Sequence, residues 1–429
     1  MDAADRLMSF IDASPSPYHA ASLGAEMLTA AGFEPASDSA PLAERGHLRR
    51  GGLLLAWARP AVSNTASPGS VRVIGAHTDS PNLRIKPVAE LGGFGMRRLA
   101  AEPYGGALLN SWLDRDLGVS GRVALRSSTD SGVDEQVVEV LVRVDDPVLR
   151  VPQLAIHLDR DVTTAGLVLN KQQHLNPVWG LGDPEPGEFV GWLAEQVDAV
   201  PDDIVGWDLM CHDLTPSRRL GVDRELLAAA RLDNLCSSFG ALDAVMHAAQ
   251  FGASSIVVAA LFDHEEIGSE STTGAGGTLL GALVERLWEE SGLNAAERMR
   301  ARSDSRILSA DMAHGTHPNY PERHEPNHPI ALGGGPVVKV NVNQRYATDA
   351  LSGGEFRAVC ESAGVPCQTY AHRADLACGS TIGPISASRL GFATVDVGMA
   401  QLSMHSSREL MAVDDVDHMV RSFRAWAVA

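Results

Sequence analysis

Residues 255–262, SIVVAALF, form an apolar run that passes without a break into Asp263, His264, Glu265 and Glu266. A short branched run of this kind reads as a buried strand. Two adjacent carboxylates at the mouth of such a strand are costly to place unless something uses their charge. Side chains of a strand alternate between faces, but a turn at its end lets neighbours converge. One carboxylate can then hold a metal ion while the other handles a proton. The bland alternative is a solvated acidic loop, the usual fate of neighbouring acids. The apolar approach and the Gly268–Ser269 turn argue against it.

The chain has 429 residues, long enough that two domains are the prior expectation. Its composition, 45% hydrophobic and 21% charged, is that of a folded globular protein. A net charge of −19 disfavours nucleic acid and anionic membrane surfaces as partners. Five scattered cysteines without a CxxC pair fit reduced thiols and exclude a cysteine zinc site of that pattern. The N-terminus lacks the basic start and apolar block of a secretory signal, and no run of about 18 apolar residues is present. The expectation is a soluble, cytoplasmic protein.

Helical and strand patterns alternate at both ends of the chain. Residues 1–33 read as helical, interrupted by SPSP, and 71–76 as a buried strand. A long helical stretch is expected over 224–250, broken near Asp233. It is followed by a strand at 255–262, a helix near 278–290, strands at 306–310 and 337–341, a helix at 354–363 and a strand at 393–397. Such alternation predicts an α/β domain, a mixed sheet flanked by helices. The stretch 90–218 differs: Val137–Val144 alternates in strand fashion and Gly and Pro are dense, which predicts a β-rich insertion. The expected division is therefore 1–89 with 219–429, and 90–218 inserted. The glycine clusters at 274–277 and 333–335 lack the lysine and hydroxyl of a phosphate loop and read as turns.

Four further segments carry candidate ligands. In GAHTDSP, His77 follows an apolar strand and Asp79 can return toward its imidazole; the bland reading is a loop histidine beside a turn aspartate. In ARLDNLCSS, Asp233 interrupts an Ala/Leu-rich stretch, where it is either a buried ligand or a cap for a helix starting at Asn234. In SADMAHGTHPNY, Asp311 ends a strand and His314 and His317 follow. In LSMHSSRELM, His405 precedes an expected helix that Ser406 or Ser407 could cap, and a lone histidine there is commonly structural. Taken together, two histidines and three carboxylates at element ends make a plausible hard-to-borderline metal site. WLDRDLG (112–118) and HLDRD (157–161) also pair aspartates, but alternating Asp and Arg read as surface ion pairs.

The motifs GAHTDSP, SWLDRDLGVSGRV, LAIHL, RLDNL, DHEEIGS, DMAHGTHPNY, PVVKVN, QRYAT, CGSTIGPI and QLSMHSSRE, in this order, resemble the aspartyl aminopeptidase (M18) family of metallopeptidases. The resemblance spans residues 15–425, with 36–70 and 126–150 following the pattern less closely. It implies a phosphorylase/hydrolase-like peptidase domain with an inserted dimerisation domain. It implies two zinc ions, with Mn or Co an alternative at one site. One ion would be held by His77 and Asp311, the other by Glu266 and His405, with Asp233 shared. Glu265 would be the general base and Asp79 would orient His77. Substrate contacts would fall on His157, His314, Lys339 and Tyr346, with His157 serving the neighbouring subunit. The implied activity is removal of the first residue, Asp or Glu, from peptides with a free N-terminus. The implied assembly is a tetrahedral dodecamer built from dimers.

Two other readings stay open on the residues alone. One is a metal-dependent deacylase or carboxypeptidase acting on small amides, because similar cradles serve several amide hydrolyses. The other is a noncatalytic hollow scaffold.

Overall fold

The structure is a computed structural model that describes residues 1–37, 39–60, 68–128 and 135–429, so part of each less closely matching stretch lies outside the described residues. The chain divides into two compact units. The first comprises Met1–Asp79, Ser217–Met404 and Glu409–Ala429, and the second Ser80–Pro216 with His405–Arg408.

In the first unit, nine strands among the described residues form one mixed sheet. Their spatial order is Glu34–Pro35, Arg45–Arg50, Leu53–Ala58, Ile256–Phe262, Val71–His77, Arg306–Ala310, Ala393–Gly398, Val337–Val340 and Gln368–Ala371. The four strands from Ile256–Phe262 to Ala393–Gly398 run parallel, in a register that sets Phe262 against His77 and Ala310 against Val397. Parallel strands buried on both faces read as near-continuous apolar runs, and SIVVAALF is one. Val257, Ala259 and Leu261 enter one apolar cluster with the helices Ala3–Asp12, Pro17–Ala30, Leu232–Phe251, Ala350–Ser362 and Asp414–Val428. Ile256, Val258, Ala260 and Phe262 enter another, with Leu279–Glu290, Ala295–Asp304 and Ile382–Leu390. Each fully buried aliphatic or aromatic side chain contributes about 1.5–3 kcal/mol, so the alternating strand locks the sheet between two helical layers. Its carboxyl edge is left to loops, where open α/β sheets place ligands.

The helical pattern over 1–33 resolves into two helices, Ala3–Asp12 and Pro17–Ala30. Ser16 caps the second and Pro17 opens it, so the SPSP segment both ends one helix and starts the next.

Two expectations are corrected. Residues 224–231 are not helical: Leu226–Ala229 is a strand, paired antiparallel with Glu409–Ala412, and Arg231 takes a left-handed conformation before the helix begins. Pairing with a distant strand overrides the helix preference of Leu and Ala. No helix starts after Ser406 or Ser407 either, because Glu409–Ala412 supplies that pairing partner and the next helix is Asp414–Val428. Ser407 is occupied instead with Ser111, donating its N–H to Ser111 Oγ and its hydroxyl to Ser111 O.

The second unit is built on a six-stranded sheet whose strands, among the described residues, pair antiparallel throughout. Val142 and Val144 turn inward, while Phe189 packs among Trp179, Trp192 and Trp207 at centroid distances of 5.9, 5.7 and 5.6 Å. The strand Asn82–Leu91 belongs wholly to this unit, so the compact body begins at Ser80 where the sequence had suggested residue 90. No helix among the described residues is long and apolar enough to cross a membrane.

Candidate metal centre

His77 is the last residue of the strand Val71–His77 and is almost fully buried. Its carbonyl accepts from Ser238 Oγ at 2.8 Å, and the next N–H, of Thr78, donates to Phe262 O at 2.8 Å. Asp311 follows the strand Arg306–Ala310 directly and donates its N–H to Val397 O. Asp233 sits where the Leu232–Phe251 segment departs from helical geometry, with φ/ψ of −84°/103° at Asp233 and −126°/30° at Asn234. The Asn234 side chain donates to Ala310 O at 2.7 Å, and the Asp233 N–H donates to Glu409 Oε2 at 3.0 Å. Asp233 is therefore pinned from two sides and turned into the site, which favours the ligand reading over the cap.

Glu265 and Glu266 lie on a single 3₁₀ turn between left-handed His264 and Gly268. His77 Nε2 lies 3.4 Å from Asp233 Oδ1, 3.6 Å from Asp311 Oδ1 and 3.9 Å from Glu265 Oε2. Donor atoms of His77, Asp233 and Asp311 lie within 4.8 Å of one another, as do those of His77, Glu265 and Glu266.

His77 Nδ1 is 3.0 Å from the Asp79 carbonyl oxygen and 3.4 Å from its carboxylate. That carboxylate accepts the backbone N–H groups of Glu265 and Glu266, each at 3.1 Å. Asp79 thus fixes the imidazole chiefly through its main chain and the glutamate turn through its side chain.

Burial raises Glu265 to about 8; the charge of His77 opposes this, while Asp311, Asp79 and Asp233 add to it. For His77 burial acts downward, but Asp233, Asp311 and Asp79 outweigh it and hold the imidazole well above its usual range. Burial is the larger cause at Glu265, and the carboxylates of Asp233, Asp311 and Asp79 act upward on both groups. Carboxylates crowded around one buried imidazole repel one another unless a cation stands among them. Imidazole with carboxylates is a donor set that suits zinc, so the residues fit the metal.

Lys339 is almost fully buried, and its ammonium already has three acceptors: Asp311 O at 2.8 Å, Asp311 Oδ2 at 3.3 Å and Met312 O at 3.2 Å. Its Nζ lies 5.0 Å from the Tyr346 ring centroid. Tyr370 stands 6.4 Å from Tyr346 and 6.1 Å from His314. The His314 ring reaches solvent but has protein on most sides; that enclosure, then Lys339 and His372, push it down to about 4. Lys339, Tyr346 and His314 therefore form one cluster, joined to Asp311 through the lysine.

His157 lies exposed in the second unit, and His405 belongs to the short segment grouped with that unit, where its Nδ1 is 3.2 Å from Gly106 O. The aspartates of WLDRDLG form ion pairs with Arg150, at 3.9 Å for Asp114 and 2.7 Å for Asp116.

Sequence reasoning passed over Asp396. This fully buried carboxylate accepts from Ser309 Oγ, Thr381 Oγ1 and Ala347 N–H, each at 2.6 Å, tying the segment that carries Tyr346 to the strand that leads to Asp311. The signal was available as a lone acid inside the apolar strand Ala393–Gly398.

The profile described as "Aminopeptidase I zinc metalloprotease (M18)" matches residues 10–426. A probable M18 family aminopeptidase 2 of Streptomyces coelicolor is 48% identical over 417 residues, covering 96% of this chain and 94% of that protein. A chain of the Ape4 and Nbr1 complex superposes with a TM-score of 0.92 at 32% identity, covering 99% of this chain and 85% of that one. A chain of the S. cerevisiae mApe1 dodecamer gives a TM-score of 0.84 at 28% identity, with 99% and 96% covered.

Proposed function

Because the chain belongs to the M18 family of zinc metallo-aminopeptidases, we propose that it removes an N-terminal Asp or Glu from peptides, with Glu265 as the proton carrier beside two zinc ions. One ion is assigned to His77 and Asp311, the other to Glu266 and His405, and Asp233 is shared. Bound zinc supplies Lewis acidity and brings the pKa of water toward neutrality.

The observation that carries this reading is the Asp79 carboxylate spanning both glutamate N–H groups. It holds Glu265 and Glu266 on one turn, where Glu266 would serve as a metal ligand and Glu265 would carry the proton. A carboxyl raised toward neutrality by enclosure suits a group that takes a proton from the attacking water and gives it to the leaving amine. A free amine and an acidic first side chain need, respectively, an anionic and a cationic wall. The carboxylates provide one and the charge of Lys339 the other.

The second unit is assigned the contact between copies, with His157 completing a neighbour's site. Leu154, Ile156 and Leu158, which flank it, are 58%, 48% and 76% exposed, a row of apolar side chains that another copy would cover. The S. cerevisiae relative forms a dodecamer, and the same assembly is proposed here.

Release of free N-terminal residues from a panel of aminoacyl substrates tests the whole reading. Asp and Glu substrates should be cleaved fastest, activity should vanish with a chelator, and zinc should restore it. Cleavage confined to acylated amino acids or to the C-terminal bond would overturn it.

A further inference from the structure

A cavity of about 780 Å³ opens where the strands Val337–Val340 and Gln368–Ala371 end, on the first unit. Its walls include Arg345, Arg357, Arg373 and His372. In a chain of net charge −19 this is a local concentration of cations. The size falls in the range of small-ligand and peptide pockets.

The accounting of these cations decides what the cavity is for. Arg373 is paired with Asp375. Asp349, another acid on the wall, is committed to capping the helix Ala350–Ser362, where it accepts the N–H groups of Leu351 and Ser352. Arg357 is exposed and donates to Thr369 Oγ1 at 3.1 Å, and no carboxylate among the described residues forms an ion pair with it. Arg345 is exposed, and its side chain makes no hydrogen bond or ion pair with the described residues.

His372 adds an independent sign. Its Nδ1 meets the Tyr370 hydroxyl at 2.7 Å. Burial raises the phenol to about 12, and in the tautomer in which its hydroxyl donates this bond the imidazole accepts at Nδ1. In that tautomer the ring carries its proton on Nε2. That Nε2 is buried and has no hydrogen-bond partner among the described residues. A donor left in this state is satisfied by an acceptor from outside the chain.

We propose that this cavity is a carboxylate-binding site, in which the guanidinium groups of Arg345 and Arg357 and the His372 N–H receive a ligand bearing two or more carboxylates. Planar guanidinium forks match carboxylates in bidentate fashion. Two sources share this chemistry: acidic side chains along a peptide, and free dicarboxylic acids. The site is joined to the Lys339–Tyr346–His314 cluster through Tyr370, whose hydroxyl holds His372 and whose ring faces Tyr346 and His314. It does not depend on which first residue the enzyme prefers.

The test is calorimetric titration of the zinc-loaded enzyme with N-acetylated tri-glutamate, which cannot present a free amine, and with glutarate. Both are compared with the Arg345→Gln/Arg357→Gln double variant, whose substitutions lie on exposed side chains. At least a tenfold loss of affinity in the variant is expected, with unchanged hydrolysis of a neutral aminoacyl arylamide and unchanged assembly mass. Tighter binding of the peptide identifies a polypeptide source, and tighter binding of glutarate a free acid. Equal affinity in wild type and variant, binding of inorganic phosphate as tight as that of either carboxylate ligand, or a changed assembly mass in the variant would each overturn the proposal.

Discussion

The carboxylate of Asp79 accepts the backbone N–H of Glu265 at 3.1 Å, across 186 positions of sequence. Its other oxygen takes the N–H of Glu266 at the same distance. One buried anion therefore sets the geometry of two glutamates with different assignments. Asp79→Asn replaces one of these acceptors with an amide N–H facing a backbone N–H. Such supporting groups are worth about 10–100-fold in metal affinity or activity. We expect kcat to fall at least that far with little change in KM, and zinc content to fall modestly. An unchanged kcat would mean that the glutamate turn does not need this anchor.

Glu265→Gln separates the base from the ligands. Gln keeps the shape and the Asp79 contact to its backbone but cannot carry the proton. Turnover should drop by about 10²–10⁴-fold, the usual contribution of a positioned acid–base group, while metal analysis still finds both ions. Loss of metal together with activity would instead make Glu265 a ligand.

The parts of this site that the sequence exposed are those where chemistry conflicts with surroundings. SIVVAALF running into two glutamates, and Asp233 inside an Ala/Leu stretch, are conflicts visible without a structure. The remote partners were not visible. Asp79 reads locally as a companion of His77, two residues away, yet its carboxylate serves the glutamate turn. Leu226–Ala229 carries helix-forming residues and becomes a strand because Glu409–Ala412 pairs with it. Asp396 makes sense only once Ser309, Thr381 and Ala347 are seen to meet on it. Local pattern reveals an element and its anomalies, but a long-range pairing leaves little local trace.

Lys339 has a double commitment that makes its substitution informative. Its ammonium is engaged by Asp311 and Met312, so it reaches a substrate through its charge more than through a spare hydrogen bond. Lys339→Met removes the charge and also leaves the Asp311 carbonyl without this donor. With zinc kept saturating, kcat/KM for Asp- and Glu-terminal substrates should fall at least tenfold more than for Leu- or Ala-terminal ones. An equal loss on both would leave Lys339 only its support of Asp311.

His314 gives a pH dependence of defined sign. Its folded-state pKa is depressed, from an ordinary 6.5 to about 4, by enclosure and by Lys339 and His372. Between those values the unfolded chain binds a proton that the folded chain refuses, so stability falls as pH drops through this window and the cost is complete below about 4. His314→Gln removes the titration. The Tm difference between variant and wild type should shift in favour of the variant as pH is lowered from 7 to 4. A gap that stays constant would show that His314 titrates normally.

The assignment of His157 to a neighbour's site can be decided by mixing two defective chains. His157→Ala and Glu265→Gln should each be nearly inactive when all subunits carry the same change. In assemblies formed by co-expression of the two, some sites combine an intact Glu265 with an intact His157 from another chain. Random mixing gives such sites a share of about a quarter, since each half is intact in about half of the subunits. Specific activity should recover to about that fraction of wild type, measured on an Asp-terminal substrate with both chains tagged and their ratio determined. Activity no higher than the sum of the two separate variants would place His157 in its own chain's site or outside the reaction. Recovery is impossible if every site draws both residues from one chain, so a positive result also fixes an exchange between copies as part of the catalytic unit.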